Sequence, residues 1–216
     1  MRLILIRHGE TPSNVAGALD TARPGAPLTP LGHRQAAAIP AVLTTSRIAA
    51  VHASPLIRTQ LTADPLARAR GVAVDVSEGL EEIGAGALEM HTTVESVETY
   101  ADTVASWIAG DLGVAMPGGE DGHTFFGRYD AAVRALATGH AADATVVAFS
   151  HGAAIRAFAA RHGAPHDQRL RNTGAVVLEG SPAAGWSVTG WSSDPLGGAH
   201  LADPGAADPT GEPDPV

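Results

Sequence analysis

Three short stretches of this chain place arginine or histidine just beyond an apolar run, and together they could handle an anion. The first run, residues 2–7, passes into Arg7-His8-Gly9-Glu10-Thr11-Pro12-Ser13-Asn14. The second, 48–53, passes into Ser54-Pro55-Leu56-Ile57-Arg58-Thr59, and the third, 145–149, into Ser150-His151-Gly152. Thr11 with Pro12, and Ser54 with Pro55, each pair a capping hydroxyl with a residue suited to a first helical position, so a helix is expected to start at both. Arg58 then falls one turn inside its helix. In open parallel sheets, ligands bind beyond the carboxyl ends of the strands, where the following helices offer free N–H groups. Arg7, His8, Arg58 and His151 are expected to converge there. Guanidinium forks match the oxygens of a phosphoryl group, and fixed donors stabilise its charge as it transfers. Each stretch alone reads as ordinary strand-end or helix-start punctuation; their recurrence at three matching strand ends carries the functional reading.

The elements that must position these residues follow from periodicity. Strands are expected at 2–7, 48–53, 72–76 and 145–149, with a final pair at 175–178 and 186–190. Alanine-rich segments of helical length lie between them, at about 30–45, 55–70, 93–109, 119–139 and 152–162. This alternation predicts an α/β fold with a mainly parallel sheet. Pro65 lacks a backbone donor and is expected to interrupt the second of these helices near Asp64. Residues 194–216 are dominated by Asp, Pro, Gly and Ala, a composition that buries little, and read as an acidic, mobile tail after one domain at 1–193.

Composition excludes several chemistries. The 216 residues contain no cysteine, and all fourteen basic residues are arginine. Disulfides, thiol nucleophiles, lysine Schiff bases and lysine-type phosphate loops are therefore absent. A formal charge of −9 argues against nucleic acid or an anionic membrane as partner. The opening apolar run is too short for a signal peptide, so a cytoplasmic location is expected.

Leu5-Ile6-Arg7-His8-Gly9-Glu10-Thr11, Leu28-Thr29-Pro30-Leu31-Gly32, Ser54-Pro55-Leu56-Ile57-Arg58-Thr59 and Ser150-His151-Gly152 resemble the histidine phosphatase superfamily, in its phosphoglycerate mutase-like branch, over about residues 1–160. The resemblance implies a three-layer α/β/α sandwich, a lid-like segment at about 80–125, and a phosphohistidine intermediate on His8. It also implies that Arg7, Asn14, Arg58, His151 and Gly152 bind the phosphate. A nucleophilic imidazole must be neutral, and the charges of Arg7 and Arg58 favour that form. The leaving alkoxide needs a proton, for which Glu81 and Glu82 are adjacent candidates. The family pattern places the acid at Glu82, four residues before Gly86, with Glu89 following and Met90 where a glycine is usual.

No arginine lies between Gly71 and Gly127, which leaves Arg23 as the candidate for a second anionic group. Hydrolysis of a small phosphate monoester is therefore expected, without cofactor or metal. The alternatives are a cofactor-dependent phosphoglycerate mutase and a non-catalytic phosphate-binding regulatory module. Met90, Tyr100, Trp107 and Phe125 are either lid contacts or core. Glu120-Asp121-Gly122-His123 is the other cluster with metal-binding residue types, and helix-start capping accounts for it. The expected partner is a small phosphate ester, with a homodimer as the candidate assembly.

Overall fold

Side-chain alternation along the strands decides which helices cover which face. The computed structural model describes residues 1–44, 47–165 and 167–211. In chain order its main elements are β1 (Arg2–Arg7), α1 (Pro12–Ala16), α2 (Pro30–Val42), β2 (Ile48–Ala53), α3 (Ile57–Arg70), β3 (Val74–Val76), α4 (Val94–Ile108), α5 (Gly122–Ala137), β4 (Thr145–Ser150), α6 (Gly152–Ala160), β5 (Ala175–Ser181) and β6 (Gly185–Ser192). The sheet order is β3-β2-β4-β1-β5-β6. The β3-β2, β2-β4 and β4-β1 pairs are parallel, and β5 and β6 add an antiparallel hairpin beside β1. On one face Leu3, Leu5, Val146 and Ala148 pack with Trp107, Phe125, Tyr129 and Phe158 from α4, α5 and α6. On the other Ile4, Ile6, Val147 and Phe149 pack with Ile39, Ala63 and Leu66 from α2 and α3. Strands buried on both faces make the three-layer α/β/α sandwich that the continuous apolar runs imply.

Two local expectations fail. Ser54 does not cap α3: Leu56 occupies the N-cap with no side-chain bond, and the Ser54 hydroxyl accepts from Leu56 N at 3.3 Å and reaches His151. Pro65 does not interrupt α3, which is continuous from Ile57 to Arg70. The ring forfeits one backbone hydrogen bond, while buried Ala63, Leu66 and Ala67 hold the segments on either side to the sheet and α2. Tyr100, Trp107 and Phe125 are core, whereas Met90 is 56% exposed. It adopts φ 63°, the backbone conformation for which glycine is the usual residue. Among the described residues no helix is long and apolar enough to cross a membrane. The segment expected as a tail carries buried Asp208 and Thr210; residues 212–216, and Thr45 at the end of the helix expected over 30–45, lie outside the described residues.

The turn after β1 is clamped by the start of α2. Thr29 caps that helix, accepting from Gly32 N at 3.0 Å, and its hydroxyl donates to Glu10 Oε1 at 2.6 Å. Thr29 N donates to Glu10 O at 2.9 Å, and Glu10 N donates to Gln35 Oε1 at 2.8 Å. The approach is so close that a Cβ on Gly9 would lie 2.7 Å from Gly32 O, and one on Gly32 would collide with Glu10 O. Gly32→Ala is therefore expected to cost about 1–3 kcal/mol, as overpacking does, and to lower the melting temperature by several degrees. Gly127→Ala, on α5 with open space around it, should raise the melting temperature instead. Thermal unfolding of the two variants checks the contrast.

Candidate active site

His8 and His151 stand beyond the ends of the adjacent parallel strands β1 and β4, with ring centroids 5.3 Å apart. His8 Nδ1 lies 2.7 Å from Gly9 O. A carbonyl oxygen can only accept, so Nδ1 carries the proton and the lone pair belongs to Nε2. Burial holds the His8 imidazole well below its usual basicity, and Arg58 and Arg7 lower it further. The ring is thus neutral at physiological pH, with a single nitrogen able to attack. His151 is neutral for the same first reason, burial, reinforced by Arg58 and His8. Its Nε2 meets the Ser54 hydroxyl at 2.7 Å, while its buried Nδ1 has no hydrogen-bond partner among the described residues.

Arg58, at the start of α3, is anchored from one side. Its Nη2 donates to Asp20 O at 2.8 Å, and its Nη1 lies 3.6 Å from Asp20 Oδ1. Its Nε and Nη1 are buried and make no hydrogen bond among the described residues, which leaves donors for an anionic ligand. Gly9 N donates to Thr62 Oγ1 at 2.9 Å, which ties the turn bearing His8 to the helix bearing Arg58.

Glu82 is buried, and its carboxylate sits at the N-terminus of α6. It accepts from Ala154 N at 2.8 Å, Ala153 N at 3.2 Å and its own neighbour Ile83 N at 3.0 Å. It supplies the cap that His151, with no side-chain capping bond, does not. Burial raises the Glu82 carboxyl above its ordinary value, against the opposing pull of these amides and of Arg58 and Arg7. Glu81 points elsewhere: it accepts from Gly79 N at 2.6 Å and pairs with Arg23, which also pairs with Glu78. Two carboxylates thus neutralise the arginine expected to hold a second anion. Glu120 pairs with Arg128 at 2.6 Å, and Asp121 caps α5 by accepting from Thr124 N.

The structure brings Arg7 and Asn14 together, but on an unexpected partner. Arg7 donates through Nη1 to Asp208 Oδ2 at 2.6 Å and to Leu170 O at 2.9 Å. Its Nη2 donates to Asp208 Oδ1 and, at 3.1 Å, to Thr210 Oγ1. Asn14 Nδ2 donates to the same Asp208 Oδ1 at 3.0 Å, while its Oδ1 closes the capping box with Thr11 and accepts from Asn172. Gly152 opens α6, and a Cβ there would collide with Thr210 O and lie 2.9 Å from Arg7 Nε. Asp208, Thr210 and Asn172 carry no sequence signal near the motifs, because they meet them across more than 150 residues. Asp20 and Ser54 lie beside the motifs, but their partners depend on how three strand ends come together.

Two imidazoles held neutral, two guanidinium groups and a buried carboxyl of raised proton affinity, gathered beyond the parallel strands of such a sandwich, are the groups that phosphoryl transfer calls for. The family model described as "Histidine phosphatase superfamily (branch 1)" matches residues 3–193, and the chain belongs to that family. The protein is similar to the PE-PGRS family protein PE_PGRS11 of Mycobacterium tuberculosis, at 37% identity over 91% of this chain; it spans only 37% of that relative's length. It is 30% identical to the probable phosphoglycerate mutase GpmB of Yersinia enterocolitica, over 94% of this chain and 96% of the relative. Among solved structures, a mycobacterial glucosyl-3-phosphoglycerate phosphatase is 26% identical, with a TM-score of 0.73 over 89% of this chain and 99% of its own.

The two buried histidines make stability depend on pH with a definite sign. Their folded-state pKa values are depressed, so their contribution is fully present above the unfolded value of about 6.5 and is lost as pH falls towards the folded values. Below about pH 6.5, each should cost up to roughly 1.4 kcal/mol per pH unit, because only the unfolded chain takes up the proton. His151→Gln should flatten the fall by about one proton. Denaturant titrations between pH 7.5 and 5 measure both slopes, and an unchanged slope in the variant would contradict the neutral state of His151.

Proposed function

We propose that the protein hydrolyses small phosphate monoesters through a phosphohistidine on His8. The observation that carries this reading is a buried, neutral imidazole whose one free nitrogen is Nε2, set near the charges of Arg58 and Arg7, with the buried Glu82 carboxyl, its proton affinity raised by burial, at the start of the helix that follows His151. In the first half-reaction, Nε2 bonds to phosphorus as the ester P–O bond breaks. Glu82 gives its proton to the departing oxygen. In the second, a water oxygen bonds to phosphorus and the P–N bond breaks. Glu82 takes the water's proton and the lone pair returns to Nε2. Arg58 and His151 Nδ1 hold the transferring oxygens, with Arg7, Asn14 and the amide of Gly152 completing the cradle. Two buried guanidinium groups at the site repel a divalent cation, which supports chemistry without a metal.

The substrate is read as a monophosphate because Arg23 is already paired with Glu78 and Glu81. Similarity to GpmB favours a second reading, intramolecular transfer on phosphoglycerate. Phosphate release from a panel of monophosphates in chelator, alongside 3-phosphoglycerate with and without 2,3-bisphosphoglycerate, separates the two. Release insensitive to chelator is expected. Isomerisation without release would establish the mutase, and no reaction with any ester would favour a binding module.

His8→Ala should abolish turnover while leaving the melting temperature within a few degrees. Glu82→Gln should slow alkyl phosphates by roughly 10²–10⁴-fold but nitrophenyl phosphate far less, since that leaving group needs little protonation. Steady-state rates on the two ester types provide the comparison, and equal losses would remove Glu82 from the acid role.

A further inference from the structure

Arg7, His8, Arg58, Glu82 and His151 each expose no more than 3% of their surface, and Arg7 exposes none. Residues 208–211 lie against Arg7, Asn14 and the start of α6. Asp208 bonds through both carboxylate oxygens to the Arg7 fork, and one of them also accepts from Asn14. These are two of the donors assigned above to the phosphoryl oxygens. Thr210 takes a further Arg7 donor through its hydroxyl and presents its carbonyl to Gly152. With Leu170 O on the remaining outer proton, the Nη groups of Arg7 have no donor left for a ligand.

Among the described residues, the segment is tied within itself by Gly211 N, which donates to Asp208 O at 3.1 Å, and from outside by Arg156 Nη1, which donates to Thr210 O at 3.4 Å. Asp208 N donates to Asn14 O at 3.0 Å, and Gly211 O accepts from Leu170 N at 3.0 Å. Asp208 itself has φ 36°, a conformation that side-chain-bearing residues rarely adopt, while Asp203, Pro204 and Gly205 just before it are exposed. A buried guanidinium cannot lose its anion without replacement, because an unpaired charge there is costly. It can exchange one anion for another. A phosphate dianion offers more charge and one more acceptor oxygen than a carboxylate.

We propose that residues 208–211 are an internal occupant of the phosphate site: Asp208 takes the place of a phosphoryl group on Arg7 and Asn14, and the segment must swing out before a phosphate ester binds. The apparent affinity for phosphate is then reduced by the fraction of molecules in which the segment is out. An occupant that is docked about nine-tenths of the time weakens binding roughly tenfold. The proposal rests on the reading of Arg7 and Asn14 as phosphate ligands, but its test does not need turnover.

Binding of inorganic phosphate, followed by calorimetry, is compared in the full chain, in Asp208→Asn and in a chain ending at Ala207. Both altered forms should bind phosphate at least about tenfold more tightly. Unchanged or weaker binding in both would overturn the proposal and make Asp208 a fixed support for Arg7. Amide exchange in the unaltered protein provides an independent readout that no folding defect can obscure. Saturating phosphate should accelerate exchange at Leu170 and Asp208, whose amides bond across the contact, whereas slowed or unchanged exchange there would mean that segment and phosphate bind side by side. Phosphate that displaces the segment without any ester being hydrolysed would leave this inference standing and remove hydrolysis alone.

Discussion

Two guanidinium groups buried within reach of the same pair of imidazoles impose most of what surrounds them. A positive charge taken out of water must be met by negative charge or by well-placed acceptors, or the fold does not tolerate it. Arg58 is met by Asp20 and Arg7 by Asp208. The same two charges help to keep His8 and His151 unprotonated, after burial itself. They also draw against the burial that would otherwise raise Glu82 further. The groups proposed as acid, nucleophile and phosphate ligands are therefore balanced as a set, and changing either arginine would alter the protonation of groups it does not bond.

The scaffold around this set is built largely from side-chain oxygens that accept from backbone amides. The turn after β1 is held by Glu10, Thr29 and Gln35, and His8 is oriented by the carbonyl of its own neighbour. Glu82 reaches the pocket on an irregular segment, yet the first amides of α6 fix its carboxylate as firmly as a helical position would. Such contacts leave little room for movement at the strand ends. The loop at 20–22 is tied by Glu89, which accepts from Thr21 N and Ala22 N.

Much of this was legible in the residues themselves. Runs such as Leu3-Ile4-Leu5-Ile6 and Val146-Val147-Ala148-Phe149 are apolar on both faces, and only a sheet covered on both sides can bury them. The strand-end positions of Arg7, His8 and His151 followed from the same runs, and that of Arg58, at the start of α3, from the run 48–53 before it. Ser54 misled because a serine before a proline caps a helix in isolation, whereas here the helix begins later, at Ile57, so the Ser54 hydroxyl accepts from Leu56 N ahead of the helix and reaches across to His151. Pro65 misled because local propensity was overridden by packing on both sides. Asp208 could not be read at all. Its partner lies 201 residues away, and the composition around it is that of chain with nothing to bury.

The bond between His8 Nδ1 and the Gly9 carbonyl restricts regiochemistry as well as orientation. An imidazole free in water reacts at either nitrogen and yields two positional isomers. Here one nitrogen is spent on the backbone, so whatever electrophile reaches the ring meets only the other. Any covalent adduct on His8, from a phosphoryl donor or from an alkylating probe, would form as a single isomer. The Gly9 carbonyl, rather than the reagent, decides which.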